Sequence, residues 1–145
     1  MKKLALMAVL SALAGCSAST QFEALQNDVT LSIDTNSSFV VDADEQHTFS
    51  TTSFGQYEFK AEQKGKEPFY GILPLKFNGG YLAADIIFFA PAMFFNLREV
   101  FPYYQFDIEN SVLRYKKDAE GPWILYKPKQ SEMHRAKEFF ENSAP

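Results

Sequence analysis

Cysteine is all but missing from this sequence. Cys16 is the only one, so no intrachain disulfide can form and no thiolate metal cluster exists. Whatever stabilises the fold is therefore a packed core. Histidine is nearly as scarce: His47 and His134 stand far apart, in no ligand spacing such as H-x-x-x-H, and each reads as an exposed polar residue. Asp42, Asp44 and Glu45 crowd three carboxylates together. They lack the further oxygen ligands and the offset glycine of a calcium loop, so a solvated turn is expected. No metal and no cofactor are expected. The serines lie in no G-x-S-x-G elbow, and there is neither a Walker loop nor a dinucleotide fingerprint. Nothing selects a pair of carboxylates for glycoside chemistry. No catalytic residue is assigned, and the chain is not expected to be an enzyme. Basic charge is also short: the formal net charge is −4, with no basic aromatic stripe, which argues against a nucleic-acid partner.

What is present begins at the N-terminus. Met1-Lys2-Lys3 is a basic start, Leu4 to Leu10 a short apolar run, and Ser11 to Gly15 mostly small residues. This is the layout of a secretory signal, too short to span a bilayer stably. Its end, Leu13-Ala14-Gly15-Cys16, resembles the lipobox of bacterial lipoproteins. The resemblance implies cleavage before Cys16, a diacylglycerol thioether on the thiol and acylation of the freed amine, as by palmitate. Two or three acyl chains suffice for stable attachment to a lipid bilayer. It also implies a cell-envelope location. Ser17, where some members carry an aspartate, resembles lipoproteins sorted to the outer membrane of Gram-negative cells and facing the periplasm.

Residues 1–15 are thus expected to be signal peptide, leaving 130 residues with a formal charge of −6 once Lys2 and Lys3 are removed. That is one domain's worth of chain, rich in aromatics with 15 Phe and 7 Tyr, and long enough to build a core. Residues 16–27 are small and polar and read as a lipidated tether. Residues 28–130 read as a β-rich domain. Val29–Ile33, Phe39–Val41, Gln46–Ser50 and Gln56–Glu62 carry strand signals separated by turn clusters, and so do Tyr104–Ile108, Val112–Lys116 and Trp123–Tyr126. Residues 131–145 read as a C-terminal helix and tail, with Met133, Ala136, Phe139 and Phe140 on one side. The expected fold class is α+β: a small antiparallel β-sandwich or curled sheet, with an apolar helical insertion and a short C-terminal helix.

That insertion is residues 81–97. Leu82, Ile86, Phe89, Met93 and Leu97 share one helical face, while Ile87, Phe88, Phe94 and Phe95 cover the others. A helix apolar all round must be buried by protein or lipid. The stretch falls short of the ~20 residues of a transmembrane helix and contains Asp85 and Pro91. Three readings stay open: a core helix packed on the sheet, an interfacial segment beside the acyl anchor, or a docking surface for an envelope protein partner. In the last two, Phe88, Phe89, Phe94 and Phe95 make the contact.

The order of features adds a second resemblance. Gly55-Gln56-Tyr57-Glu58-Phe59, a turn at Lys64-Gly65-Lys66, and then Lys76-Phe77-Asn78-Gly79-Gly80-Tyr81-Leu82 are similar to small bacterial lipoproteins with a PEGA-like β-domain and an apolar insertion. The likeness covers roughly residues 27–112, without the Pro-Glu-Gly-Ala signature, and implies a surface-associated β-sandwich with no reaction. The function expected is that of a non-catalytic accessory or structural protein of the cell envelope. A glycan- or peptidoglycan-binding module using Trp123 or exposed Tyr residues is an alternative, as is a small periplasmic enzyme inhibitor.

Overall fold

Alternation of buried and exposed side chains sets most of this fold, because successive residues of a strand point to opposite faces. The computed structural model describes residues 17–51, 55–77 and 98–143. The first strand, β1 (Ser17–Ala24), buries Thr20 and Phe22 and packs Ala18 and Ala24 against the core, while Ser17 and Ser19 face solvent. Then follow β2 (Thr30–Ile33), β3 (Phe39–Val40), β4 (Gln46–Ser50), β5 (Glu58–Glu62), β6 (Phe69–Ile72) and β7 (Leu75–Phe77). The chain closes with β8 (Arg98–Val100), β9 (Tyr103–Asp107), β10 (Val112–Lys116), β11 (Ile124–Tyr126) and one helix, α1 (Gln130–Ser143).

Five strands form one sheet in the order β11-β10-β9-β1-β4, and four form a second in the order β3-β2-β5-β6. The two face each other across a single core. Phe22 and Phe39 meet at 5.8 Å between ring centroids, and Phe59 and Phe106 at 5.1 Å in an edge-to-face contact. Phe22, Leu31, Ile33, Phe59, Tyr104, Phe106 and Leu113 are wholly buried, each contributing about 1.5–3 kcal/mol of transfer free energy. α1 lies on β6 and β5, burying Ala136 and bringing Phe140 to 6.4 Å from Tyr70. The fold class is α+β, as expected.

Three details depart from the sequence reading. The stretch 16–27, taken as a tether, is from Ser17 onward the strand β1 in the interior of the larger sheet. Its inward set of Ala18, Thr20, Phe22 and Ala24 holds one bulky apolar residue, too faint a period-two signal to stand out beside the polar residues between. The sheet is not wholly antiparallel either, because β1 pairs parallel with β9, from Gln21 opposite Tyr103 to Ala24 opposite Phe106. Third, β6, β7 and β8 had no strand expectation. The apolar insertion at 81–97 lies outside the described residues. Between β5 and β6, Lys66 N donates to the Gln63 carbonyl at 3.1 Å, and Gly65 takes φ +80°, where a side chain would be strained.

Candidate functional site

The end of the sandwich at which β1 starts gathers the features worth functional attention. Ser17 stands opposite Ser50, the last residue of β4. The β7–β8 hairpin lies across this end, with β8 packed on both β1 and β4. Its path is fixed by Gln21 N, which donates to the Pro102 carbonyl at 2.9 Å, and by Arg98 Nη2, which donates to the Gly55 carbonyl at 3.0 Å. Tyr104 ties the hairpin to the core. Its hydroxyl donates to the Pro74 carbonyl and accepts from Phe101 N at 2.9 Å. Burial pushes this phenol well above the usual tyrosine range, against the hydrogen bond from Phe101.

Within the hairpin Phe77 stands opposite Arg98. Phe77 and Arg98, the described residues that flank 78–97 in sequence, therefore stand at one place. Lys76 and Glu99, opposite each other, form an ion pair at 2.8 Å. Phe77 is 57% exposed, a large apolar side chain left outside the core. Thus β1, where the described chain starts, and the two described residues flanking the Phe-rich stretch, Phe77 and Arg98, belong to neighbouring elements.

Of the residues singled out in the sequence, Cys16 lies just outside the described residues, next to Ser17. Phe88, Phe89, Phe94 and Phe95 also lie outside them. His134 is exposed and 3.3 Å from Glu138 on the same helix. His47 departs from expectation, being half-buried with its ring stacked on Phe39 at 4.0 Å and 5.3 Å from Phe22. Its face of β4 points inward because Thr20, its partner on β1, is a core position. Asp42 turns its carboxylate back on its own backbone, accepting from Asp44 N at 3.0 Å, in an exposed turn. No cluster of three or more metal-ligating side chains exists among the described residues. None of the described helices is long and apolar enough to cross a membrane.

Two polar clusters were not foreseen. At the opposite pole, Asp107 is 3% exposed and accepts from Gln26 Nε2 at 3.2 Å and from Asn110 Nδ2 at 2.9 Å, with Arg114 Nη2 at 3.8 Å. Burial alone would raise its pKa. The hydrogen bonds from Asn110 and Gln26 and the Arg114 charge outweigh that, holding it below the usual carboxylate range. The second cluster lines a polar cleft of about 260 Å³ between α1, β8 and β11, with Arg98, Arg135, Gln56, Tyr126 and Glu132 in its walls. Its only carboxylate among these, Glu132, is held by the Tyr126 hydroxyl at 2.6 Å and by Lys129 N at 2.7 Å. Both arrangements serve to fix the chain: one closes the β9–β10 turn, the other the entry to α1.

No protein-family model matches the sequence, and neither a curated relative nor a solved structure shows significant similarity to it.

Proposed function

We propose that this protein is a non-catalytic, lipid-anchored accessory protein of the cell envelope, held by an acylated Cys16 and working at the membrane surface. The single observation that carries this reading is the shared pole. β1 starts at Ser17 at the end of the sandwich where the β7–β8 hairpin opens into residues 78–97. An acyl anchor on Cys16 would sit one residue, ~3.3 Å of extended chain, from the sheet. The body would then rest against the bilayer with Phe77 and Arg98, which flank the Phe-rich segment in sequence, close to that surface. Phe88, Phe89, Phe94 and Phe95 are the proposed contact residues. Ser17 after the cysteine favours outer-membrane placement in a Gram-negative host, with the body in the periplasm.

The test is metabolic labelling with a palmitate analogue, followed by fractionation of the envelope. The wild-type chain is expected to carry label and to sediment with membranes. Cys16→Ala is expected to lose the label and to remain as unprocessed precursor. A wild-type protein without label overturns the anchor. Phe88→Asp and Phe95→Asp separate the contacts: loss of a co-purifying envelope protein, with melting temperature unchanged, would point to a protein partner instead of the bilayer.

A further inference from the structure

A groove of about 440 Å³ runs along the same pole, walled by Leu75, Phe77, Phe101 and Tyr115 and flanked by Lys76 and Lys117. Its floor is rigid. Phe101 is 7% exposed and stacks on Tyr115 at 4.2 Å with the rings 27° apart. Its lip is Phe77, more than half exposed. We infer that this groove is a phospholipid contact site, taking the acyl-glycerol region of a bilayer lipid against Phe77 and Leu75, with the lipid phosphate between Lys76 and Lys117. The inference rests on the membrane-surface reading above and assigns the body's own share of that contact to described residues.

Three observations select a bilayer as the occupant. The first is position: β8, the partner of the wall strand β7, packs on β1, the strand that begins at Ser17, next to the proposed anchor at Cys16. The second is chemistry. Aromatic rings beside lysines suit the boundary between headgroup and acyl chain, because lysine stems lie along apolar surface while their ammonium groups reach outward. The third is charge. Lys117 is exposed, and Lys76 is shared with Glu99 at 2.8 Å, while Asp118 and Glu120 stand close by in sequence. This is too little net positive charge to draw the acidic body to anionic lipid from a distance. It is enough to satisfy one phosphate already brought near by an anchor. Binding should therefore depend on both the apolar lip and the short-range contact of Lys117 with the phosphate.

Trp123, the only tryptophan, reports on this pole. Lys116 Nζ lies 4.7 Å from its ring centroid, one residue from Lys117. The experiment uses the processed protein purified from membranes and reconstituted into phosphatidylethanolamine–phosphatidylglycerol vesicles with lipids brominated near the glycerol. Trp123 fluorescence is expected to be quenched in the wild type, and Phe77→Ser and Lys117→Glu are each expected to lose most of that quenching. Both side chains are exposed, so melting temperature should not change; should Phe77→Ser misfold, Lys117→Glu still decides. Wild-type fluorescence untouched by brominated lipid, or variants quenched like wild type, overturns the groove. The mass of the N-terminal peptide, read on the same sample, keeps the two proposals apart. Acylated yet unquenched protein removes the groove alone, and quenched yet unacylated protein removes the anchor alone.

Discussion

Gln26 and Asp107, 81 positions apart, clasp one another across the end of the parallel pair. The Gln26 amide donates to the Asp107 carboxylate at 3.2 Å, and its oxygen accepts from Ile108 N at 3.1 Å. One side chain thereby closes the chain between β1 and β9.

The carboxylate's pKa is lowered in the fold, so the sign follows directly. Stability from Asp107 is fully present above its ordinary value of 3.8 and is lost as pH falls through the lower, folded value. Asp107→Asn keeps the shape and removes the charge, so its melting temperature should be flatter than wild type's on acidifying from about pH 5. Asp107→Ala leaves the Gln26 and Asn110 amides without this acceptor and Arg114 without its ion-pair partner, and should cost about 1–3 kcal/mol in denaturant unfolding at neutral pH. A wild-type acid profile in Asp107→Asn would remove this assignment.

At high pH the sign reverses. The Tyr57, Tyr104 and Tyr126 phenols are all raised, chiefly by burial, and Tyr126 also by its bond to Glu132. Their stabilising contribution is complete below the ordinary value of 10.0 and is lost as pH rises above it. Phenolate absorbance should appear together with loss of sheet circular dichroism. Tyr126→Phe should shift that transition to higher pH while lowering stability at neutrality.

Gly71 illustrates close approach. A Cβ there would come within 2.6 Å of Phe59 Cζ and 2.9 Å of Pro128 Cγ. Phe59 is fully buried and Pro128 is rigid, so neither yields freely. Gly71→Ala should destabilise by about 1–3 kcal/mol. Pairing it with Phe59→Leu should cost less than the sum of the two single changes, because the second makes room for the first. Strict additivity in chemical denaturation would place the clash elsewhere.

Phe22 tests whether β1 belongs to the fold. Its ring meets Phe39, Phe49, Tyr104 and Phe106 at 5.8 to 6.1 Å. Phe22→Ala should cost about 3–5 kcal/mol. A change near zero would return residues 17–24 to the role of a loose leader.

Much of the scaffold was legible because its strands alternate. Gln46–Ser50, the run ending at Glu62, Tyr104–Ile108 and Val112–Lys116 all fall on or within a residue or two of observed strands, and the C-terminal helix starts one residue before its expected stretch. β1 was not legible, since its outward serines and glutamine resemble a linker and only Phe22 announces a core. β7 and β8 are three-residue strands, too short for any period to show. The pole itself was beyond the sequence. Nothing local in Phe77 or Arg98 says that they stand opposite one another, or that β8 packs on β1; the latter depends on a parallel pairing between the first strand and the ninth.

The position of β1 also decides how the body would bear a load. Ser17 to Gln21 are paired to β4 on one side, and Gln21 to Ala24 to β9 on the other. A pull applied at Ser17 along the strand runs crosswise to those hydrogen bonds. They would be sheared together instead of peeled one at a time, so the sheet can take up tension from its first residue without a slack length of chain to absorb it.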